Sequence, residues 1–309
     1  FKVDYTPIDG QHMDLERIGE LGKEGVLLLL ADSTNVERPG HSPSEETIGK
    51  TLMRLFSGVK GRVIVATFAS NIHRIQQIVN ASIAYGRKVA FSGRSMESIS
   101  TVARELGYLE IPETTLMTLN EIKDYSSEKI TIITTGSQGE PMAALARIAF
   151  GNHKFIQIEP DDLYIISASP IPGNDKLVSR VINELYKKGA EVVYKGIEEV
   201  HVSGHAFKEE LKLMHALTHP KYFMPDHGEY RHLKHHRDLA IKMGMPKENV
   251  FILQDGDVLA VNKSSGAVVD HVRAGNILVD GIGVGDVGNI VLRDRKHLAE
   301  EGMLIVVAA

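Results

Sequence analysis

His201-Val202-Ser203-Gly204-His205, followed by Tyr222-Phe223-Met224-Pro225-Asp226-His227-Gly228-Glu229-Tyr230, twice sets a histidine where an apolar strand gives way to a helix. One strand-end histidine is ordinarily a turn residue. Two after successive strands, beside small or polar neighbours, argue for ligands: a neutral imidazole binds zinc or manganese, and a charged one holds a phosphate. The surrounding chain is rich in imidazole, with eight of the 14 histidines between His201 and His236. His215 and His219 have i, i+4 spacing but no evident third ligand, and His232, His235 and His236 lie among Arg and Lys. Both groups are read as solvated helix faces.

Upstream of this stretch, strand-sized apolar runs alternate with helix-period segments. Strands are predicted at Val26 to Ala31, Arg62 to Thr67, Lys88 to Phe91, Lys129 to Thr134, Leu163 to Ala168 and Glu191 to Tyr194. Between them fall a helix carrying Ile72, Ile75, Ile78, Val79 and Ile83, and others at Ser98 to Leu106, Pro141 to Phe150 and Lys176 to Lys188. Ser42-Pro43-Ser44-Glu45 predicts one more helix start, with Ser42 as the cap and Pro43 in the first turn. Strands and helices alternating at this length imply a doubly wound parallel sheet in an α/β fold. Downstream, Asp255-Gly256-Asp257 and Ser264-Ser265-Gly266 read as turns between short strands. Gly281-Ile282-Gly283-Val284-Gly285 is glycine-rich, but no helix opens behind it, so it is read as a loop.

Four of the predicted strands end in similar loops: Thr67-Phe68-Ala69-Ser70-Asn71, Ser92-Gly93-Arg94-Ser95, Thr134-Thr135-Gly136-Ser137-Gln138-Gly139-Glu140 and Ser167-Ala168-Ser169-Pro170-Ile171-Pro172-Gly173-Asn174. In an α/β sheet ligands bind at the carboxyl ends of the strands. Small residues let backbone N–H groups approach an anion, hydroxyls add donors, and helix N-termini add partial positive charge. Ser70, Asn71, Ser137, Ser169 and Gly173 are therefore candidates to contact a substrate with several phosphates.

The 309 residues are about twice an ordinary domain. Hydrophobic residues at 43 % suffice for a core, and charged residues at 24 % exclude a disordered tail. No apolar run reaches bilayer-spanning length, so no membrane partner is expected. The absence of cysteine rules out disulfides, thiolate zinc sites and a cysteine nucleophile, and fits a reducing, cytoplasmic setting. A net charge of -5 argues against bulk electrostatic nucleic-acid binding, leaving a local basic patch or a metal to hold phosphates. The chain begins at Phe1 and closes on the strand-like Leu304-Ile305-Val306-Val307-Ala308-Ala309, and it is read as an internal piece of a longer protein.

The Ser-Gly-His element followed by Pro-Asp-His-Gly-Glu-Tyr resembles the β-CASP branch of the metallo-β-lactamase superfamily. With Ala31-Asp32-Ser33-Thr34-Asn35, Thr67-Phe68-Ala69-Ser70-Asn71-Ile72-His73-Arg74, Thr135-Gly136-Ser137-Gln138-Gly139-Glu140-Pro141 and Ser169-Pro170-Ile171-Pro172-Gly173-Asn174, the set is similar to the bacterial ribonuclease J family from Phe1 to about Asn289. The resemblance implies a partial metallo-β-lactamase αββα sandwich interrupted by a doubly wound parallel-sheet β-CASP domain. Residues 1–45 would end the first lactamase part, 46–205 form the insert, 206–287 the returning lactamase part, and 288–309 a linker and the start of a small C-terminal domain. Family members hydrolyse RNA phosphodiesters, internally and from the 5′ end, with two metal ions, usually zinc and in some cases manganese. RNA processing and decay in the cytoplasm, and assembly as a homo-oligomer, are implied for the complete protein.

Carried over residue by residue, the resemblance makes His205 the histidine that contacts the scissile phosphate or donates a proton, and Asp32 the carboxylate that orients it. His201, Val202, Ser203, Gly204 and His205 form a substrate-binding stretch, His227 is a zinc ligand, and Asp280 is a structural calcium ligand. The family's His-x-His-x-Asp-His motif and its next histidine ligand are absent. Phe1-Lys2 matches the close of the Gly-Asp-Phe-Lys element that carries the bridging aspartate. His227 alone cannot hold a dimetal centre, so these residues expressed alone are expected to be inactive. Two alternatives stay open: a non-catalytic β-CASP paralogue that binds RNA or serves assembly, and a metallohydrolase of small phosphorylated substrates.

Overall fold

Strand alternation sets the larger sheet. In β2 (Val63–Ala66), Val63 and Val65 face one side and Ile64 and Ala66 the other, and all four are buried. β5 (Leu163–Ile166) repeats this, with Leu163 and Ile165 against Tyr164 and Ile166. A strand apolar on both faces needs helices on both, which is the parallel-sheet solution. On the first face lie α2 (Glu46–Phe56), α3 (Ile72–Ala84) and α4 (Arg94–Glu105), through Leu52, Phe56, Ile75, Ile78 and Met96. On the second lie α5 (Ala144–Ala149) and α6 (Asp175–Lys187), through Leu145, Ile148, Val181 and Leu185. With β3 (Lys88–Ser92), β4 (Ile130–Thr134) and β6 (Glu191–Tyr194), the sheet runs β3-β4-β2-β5-β6, all parallel. The loops after β2, β3, β4 and β5 therefore share one edge.

A smaller parallel pair joins the two ends of the described chain. β1 (Leu28–Asp32) runs beside β7 (Tyr222–Asp226), in register from Leu28 with Tyr222 to Asp32 with Asp226. It packs on α8 (Tyr230–Lys242) through Ala31, Phe223 and Ala240. α1 (Leu15–Glu24) lies on α7 (Lys208–Thr218), and Gly22 permits the approach: a Cβ there would fall 2.0 Å from the Leu217 carbonyl oxygen. A hairpin of β8 (Asp257–Val261) and β9 (Gly266–His271) follows.

Two crossover segments join the sheets, and Arg74 of α3 binds both. Its Nε donates to Glu45 Oε1 at 2.5 Å, on the segment leading into the five-stranded sheet. Its Nη1 donates to the Ser167 hydroxyl at 2.5 Å and to the Val200 carbonyl at 3.0 Å, on the segment leading out. The side chain is 0 % exposed, so these bonds form where water cannot replace them.

The computed structural model describes residues 1–275 except Pro172, together with 277, 279, 280, 283, 284, 291, 293–295 and 297. Most of the predicted 288–309 segment, most of the Gly281–Gly285 run, the closing Leu304–Ala309 run and the Asp280 side chain lie outside the described residues. Two predicted helices are shorter than expected. α2 starts at Glu46 because Ser42 is taken elsewhere: its hydroxyl and N–H donate to Glu210 of α7 at 2.8 and 2.7 Å. α5 starts at Ala144 because Leu145 N–H folds back onto the Thr135 carbonyl at 3.0 Å. Among the described residues no helix is long and apolar enough to cross a membrane.

Candidate metal and phosphate centre

The register of β1 and β7 ends both strands side by side. Ser33 N–H donates to the Asp226 carbonyl at 2.8 Å and to the His227 carbonyl at 3.2 Å, fastening the two following turns together. Asp32 Oδ1 accepts from the Thr34 N–H at 2.9 Å and from the Thr34 hydroxyl at 2.7 Å. Its Oδ2 is left for His205 Nδ1, at 2.5 Å. Burial opposes ionisation of Asp32, but hydrogen bonds from the Thr34 N–H, His205 and the Thr34 hydroxyl outweigh it and hold the carboxyl below its usual range. Asn35 fixes the His205 backbone, its Nδ2 donating to the Ser203 hydroxyl at 2.8 Å and to the His205 carbonyl at 3.1 Å. With Nδ1 engaged by Asp32, the other ring nitrogen of His205 has no hydrogen-bond partner among the described residues.

His227 arrives from the second turn. Its φ of 52° and the 131° of Gly228 turn the chain sharply. A Cβ at Gly228 would sit 3.0 Å from His232 Nδ1, which itself accepts the Glu229 N–H at 3.0 Å. The His227 ring stacks on that of His205, with centroids 5.3 Å apart and planes 20° apart. Ligand atoms of Asp32, His205 and His227 all lie within 4.8 Å of one another. A carboxylate oxygen with two imidazole nitrogens is the mixed donor set that suits zinc or manganese. His205 and Asp32 bond each other, and among the described residues no hydrogen bond engages the His227 ring, so the residues fit a metal that would take His227 as a ligand together with ligands from elsewhere.

The other histidines correct their sequence reading. His236 is 0 % exposed, and its Nδ1 meets the Ser33 hydroxyl at 3.0 Å under the site. His215 is buried edge-on against Phe223, centroids 4.4 Å apart, and against His236 at 5.4 Å. Burial pushes His215 down to about 4; burial and the neighbouring His215 push His236 down to about 3. These are core imidazoles rather than a solvated face, and His219 falls outside the helix as its left-handed cap. His232 is buried too, whereas exposed His235 contacts Glu37, which also holds Arg231 at 2.6 Å. The apolar inward positions of α7 and α8 were the available signal, since Leu211 and Leu239 share those faces.

Ser203 and His205 stand at the centre, and exposed Gly204 forms the turn between them. Val202 instead packs in the core with Val200. His201 is pushed down to about 3 by burial and by Arg74, Lys195, Arg38 and Lys2, in that order. Ser70 is exposed, and the Asn71 side chain caps α3 by accepting the Arg74 N–H at 3.1 Å. Ser137 is buried, and Gly173 is exposed with a φ of 96°. Ser169 accepts from Lys195 Nζ at 2.8 Å. Gln138, which sequence reasoning did not single out, ties two loops together: it donates to the Ser169 carbonyl at 3.0 Å and accepts the Ile171 N–H at 2.7 Å. Among the described residues no hydrogen bond joins Ser70, Asn71, Ser137, Ser169 or Gly173 to His205.

A five-stranded doubly wound sheet inserted beside a parallel strand pair that ends in Asp32 and Asp226 defines a β-CASP protein with part of a metallo-β-lactamase sandwich. The family model described as ribonuclease J, beta-CASP domain, matches residues 60–185, and that of a Zn-dependent metallo-hydrolase RNA specificity domain matches residues 189–253. The chain belongs to the ribonuclease J family. It is 47 % identical over 308 residues to ribonuclease J 1 of Streptococcus pyogenes, covering 100 % of this chain and 55 % of the relative. It is 49 % identical over 308 residues to ribonuclease J of Thermus thermophilus, covering 100 % and 54 %. It is 45 % identical over 307 residues to ribonuclease J2 of Bacillus subtilis, covering 99 % and 55 %. The chain thus spans about half the length of the curated relatives it matches.

Proposed function

We propose that this chain is the substrate-facing part of a metal-dependent ribonuclease that hydrolyses RNA phosphodiesters, internally and from the 5′ end. The observation that carries the reading is the hydrogen bond between Asp32 and His205 beside the stacked His227. His227 would hold a zinc or manganese ion together with residues outside this chain. A bound pair of such ions supplies an activated water and positive charge for the phosphate oxygens. His205 presents its outer ring nitrogen to the phosphate. When the ring carries both protons, that N–H donates to the developing charge or to the departing ribose oxygen, and the Asp32 carboxylate balances the charge of the ring. Asp32 also fixes the ring plane, as a carboxylate behind a working histidine does.

The strand-end loops receive the RNA backbone, and Asp280 serves a structural calcium. The domains divide at residues 45, 205 and 287, and the full-length protein acts in the cytoplasm as a homo-oligomer. The test is turnover of a 5′-monophosphorylated RNA by the full-length protein: the native protein cleaves it and the His205→Ala protein does not. Failure of the native protein to cleave, with its metals bound, leaves the non-catalytic RNA-binding reading in its place.

A further inference from the structure

Most arginines that meet a carboxylate here are held by it: Arg54 by Glu198 at 2.7 Å, Arg74 by Glu45 at 2.5 Å, Arg231 by Glu37 at 2.6 Å. Arg38 and Lys195 are among the cations not so held. Both are exposed, and neither has a carboxylate within ion-pair distance among the described residues. Acids beside them in sequence are engaged elsewhere, Glu37 by Arg231 and Glu198 by Arg54. Glu199 offers Lys195 some attraction without contact.

The two cations come from segments that follow strands of different sheets, and each is near enough to be felt by the other. Lys195 follows β6, at the ligand edge of the five-stranded sheet, and its Nζ donates to the Ser169 hydroxyl at 2.8 Å. Arg38 follows β1. Its guanidinium carbon lies 5.4 Å from the centre of the Phe207 ring, two residues past His205, and its carbonyl accepts the Lys208 N–H at 3.0 Å. Stacking fixes a guanidinium by its face and leaves its N–H fork free. Burial and the nearby Arg38 both lower the Lys195 ammonium, so the two positive charges oppose each other. Uncompensated cations of this kind are relieved by an anion.

We infer that Arg38 and Lys195, with the Ser169 hydroxyl, form a second phosphate seat, which takes an RNA backbone phosphodiester next to the one held at His205. The inference rests on the ribonuclease reading and adds to it a direction for the strand, along the seam over Phe207 toward the loop after β5.

The experiment measures binding of a short single-stranded RNA across a salt series, using the full-length protein with His205→Ala to stop turnover. Each single-strand phosphate contact contributes about 0.7 to the slope of log affinity against log salt. Arg38→Gln and Lys195→Gln should each lower the slope by about that amount and weaken binding several-fold at low salt, while Lys195→Arg keeps the slope. Lys129→Gln, at the opposite edge of the sheet ahead of β4, should leave it unchanged. No RNA binding by the protein bearing only His205→Ala would sink the ribonuclease reading and this seat with it. Binding with an unchanged slope in both glutamine variants would overturn the seat alone, as would an equal loss in Lys129→Gln.

Discussion

His205 and Asp32 stand 173 positions apart in the chain, yet Nδ1 of one and Oδ2 of the other are 2.5 Å apart. The pairing joins a residue that follows the inserted sheet to one that precedes it. On the proposed roles a change at either should register at the other and differ from a change at His227.

Substitutions at these three positions separate accordingly in the full-length protein. His227→Ala should lower bound zinc and turnover together. His205→Ala should keep the metal and cost about 100-fold or more in turnover, the typical loss when a charge stabiliser or proton donor is removed. Asp32→Asn should cost less, about 10–100-fold, because it disturbs the ring without removing it. Metal content by mass spectrometry beside turnover distinguishes them; an empty metal site in His205→Ala with a full one in His227→Ala would reverse the roles.

Gly228→Ala tests the turn that delivers His227. A side chain at a φ of 131° is strained, and its Cβ would press on His232 at 3.0–3.1 Å. Strain of this kind costs on the order of 1–3 kcal/mol. The variant should melt earlier and bind zinc more weakly. An unchanged melting temperature would show that the turn relaxes freely.

Acid should loosen the fold through His215. Its folded ring stays neutral down to about 4, while the unfolded chain protonates near 6.5. Below 6.5 the unfolded state thus binds more protons, and stability falls as pH drops toward 4. A shift of this size corresponds to on the order of 3 kcal/mol. Among the described residues both ring nitrogens of His215 are buried without partners, so His215→Leu forfeits no hydrogen bond there. That variant should be as stable at neutral pH and lose less stability in acid. Urea melts at several pH values give the comparison, and a pH slope equal to the native one would exclude the mechanism.

Arg74 should tolerate no replacement. Arg74→Met would leave the Glu45 carboxylate without its cation, while the Ser167 hydroxyl keeps its own bond to the Val200 carbonyl at 2.6 Å, at a cost of about 3–5 kcal/mol. Arg74→Lys should recover part of this, since an ammonium cannot reach both crossover segments with a planar fork. Chemical denaturation measures both; a loss below about 1 kcal/mol for Arg74→Met would mean the network is not a clasp.

The strand-to-helix alternation was legible because β2 and β5 are apolar on both faces, a pattern few other folds leave. The histidines were legible only as a cluster. Periodicity predicts that position 236 lies on a helix, but not that a Ser33 hydroxyl on another strand meets it, and so His236 reads as solvated until the packing is known. Ser42 misleads for a related reason. Its best partner is Glu210, 168 residues away, and a local capping rule cannot weigh a rival so distant. Arg74 gave little signal at all, being one cation in the first turn of a helix whose burial only the two crossover segments create.

That clasp also bears on the order in which the molecule is assembled. β1 and β7 are parallel partners separated by the entire inserted sheet, and closing so long a loop of disordered chain is entropically costly and slow. Once the insert has folded, Arg74 holds Glu45 and Val200 to one side chain, and the gap left to close shrinks from the whole insert to residues 33–44 on one flank and 201–221 on the other. The strand pair that ends at Asp32 and Asp226 should therefore form late in folding, conditional on a sheet it does not belong to.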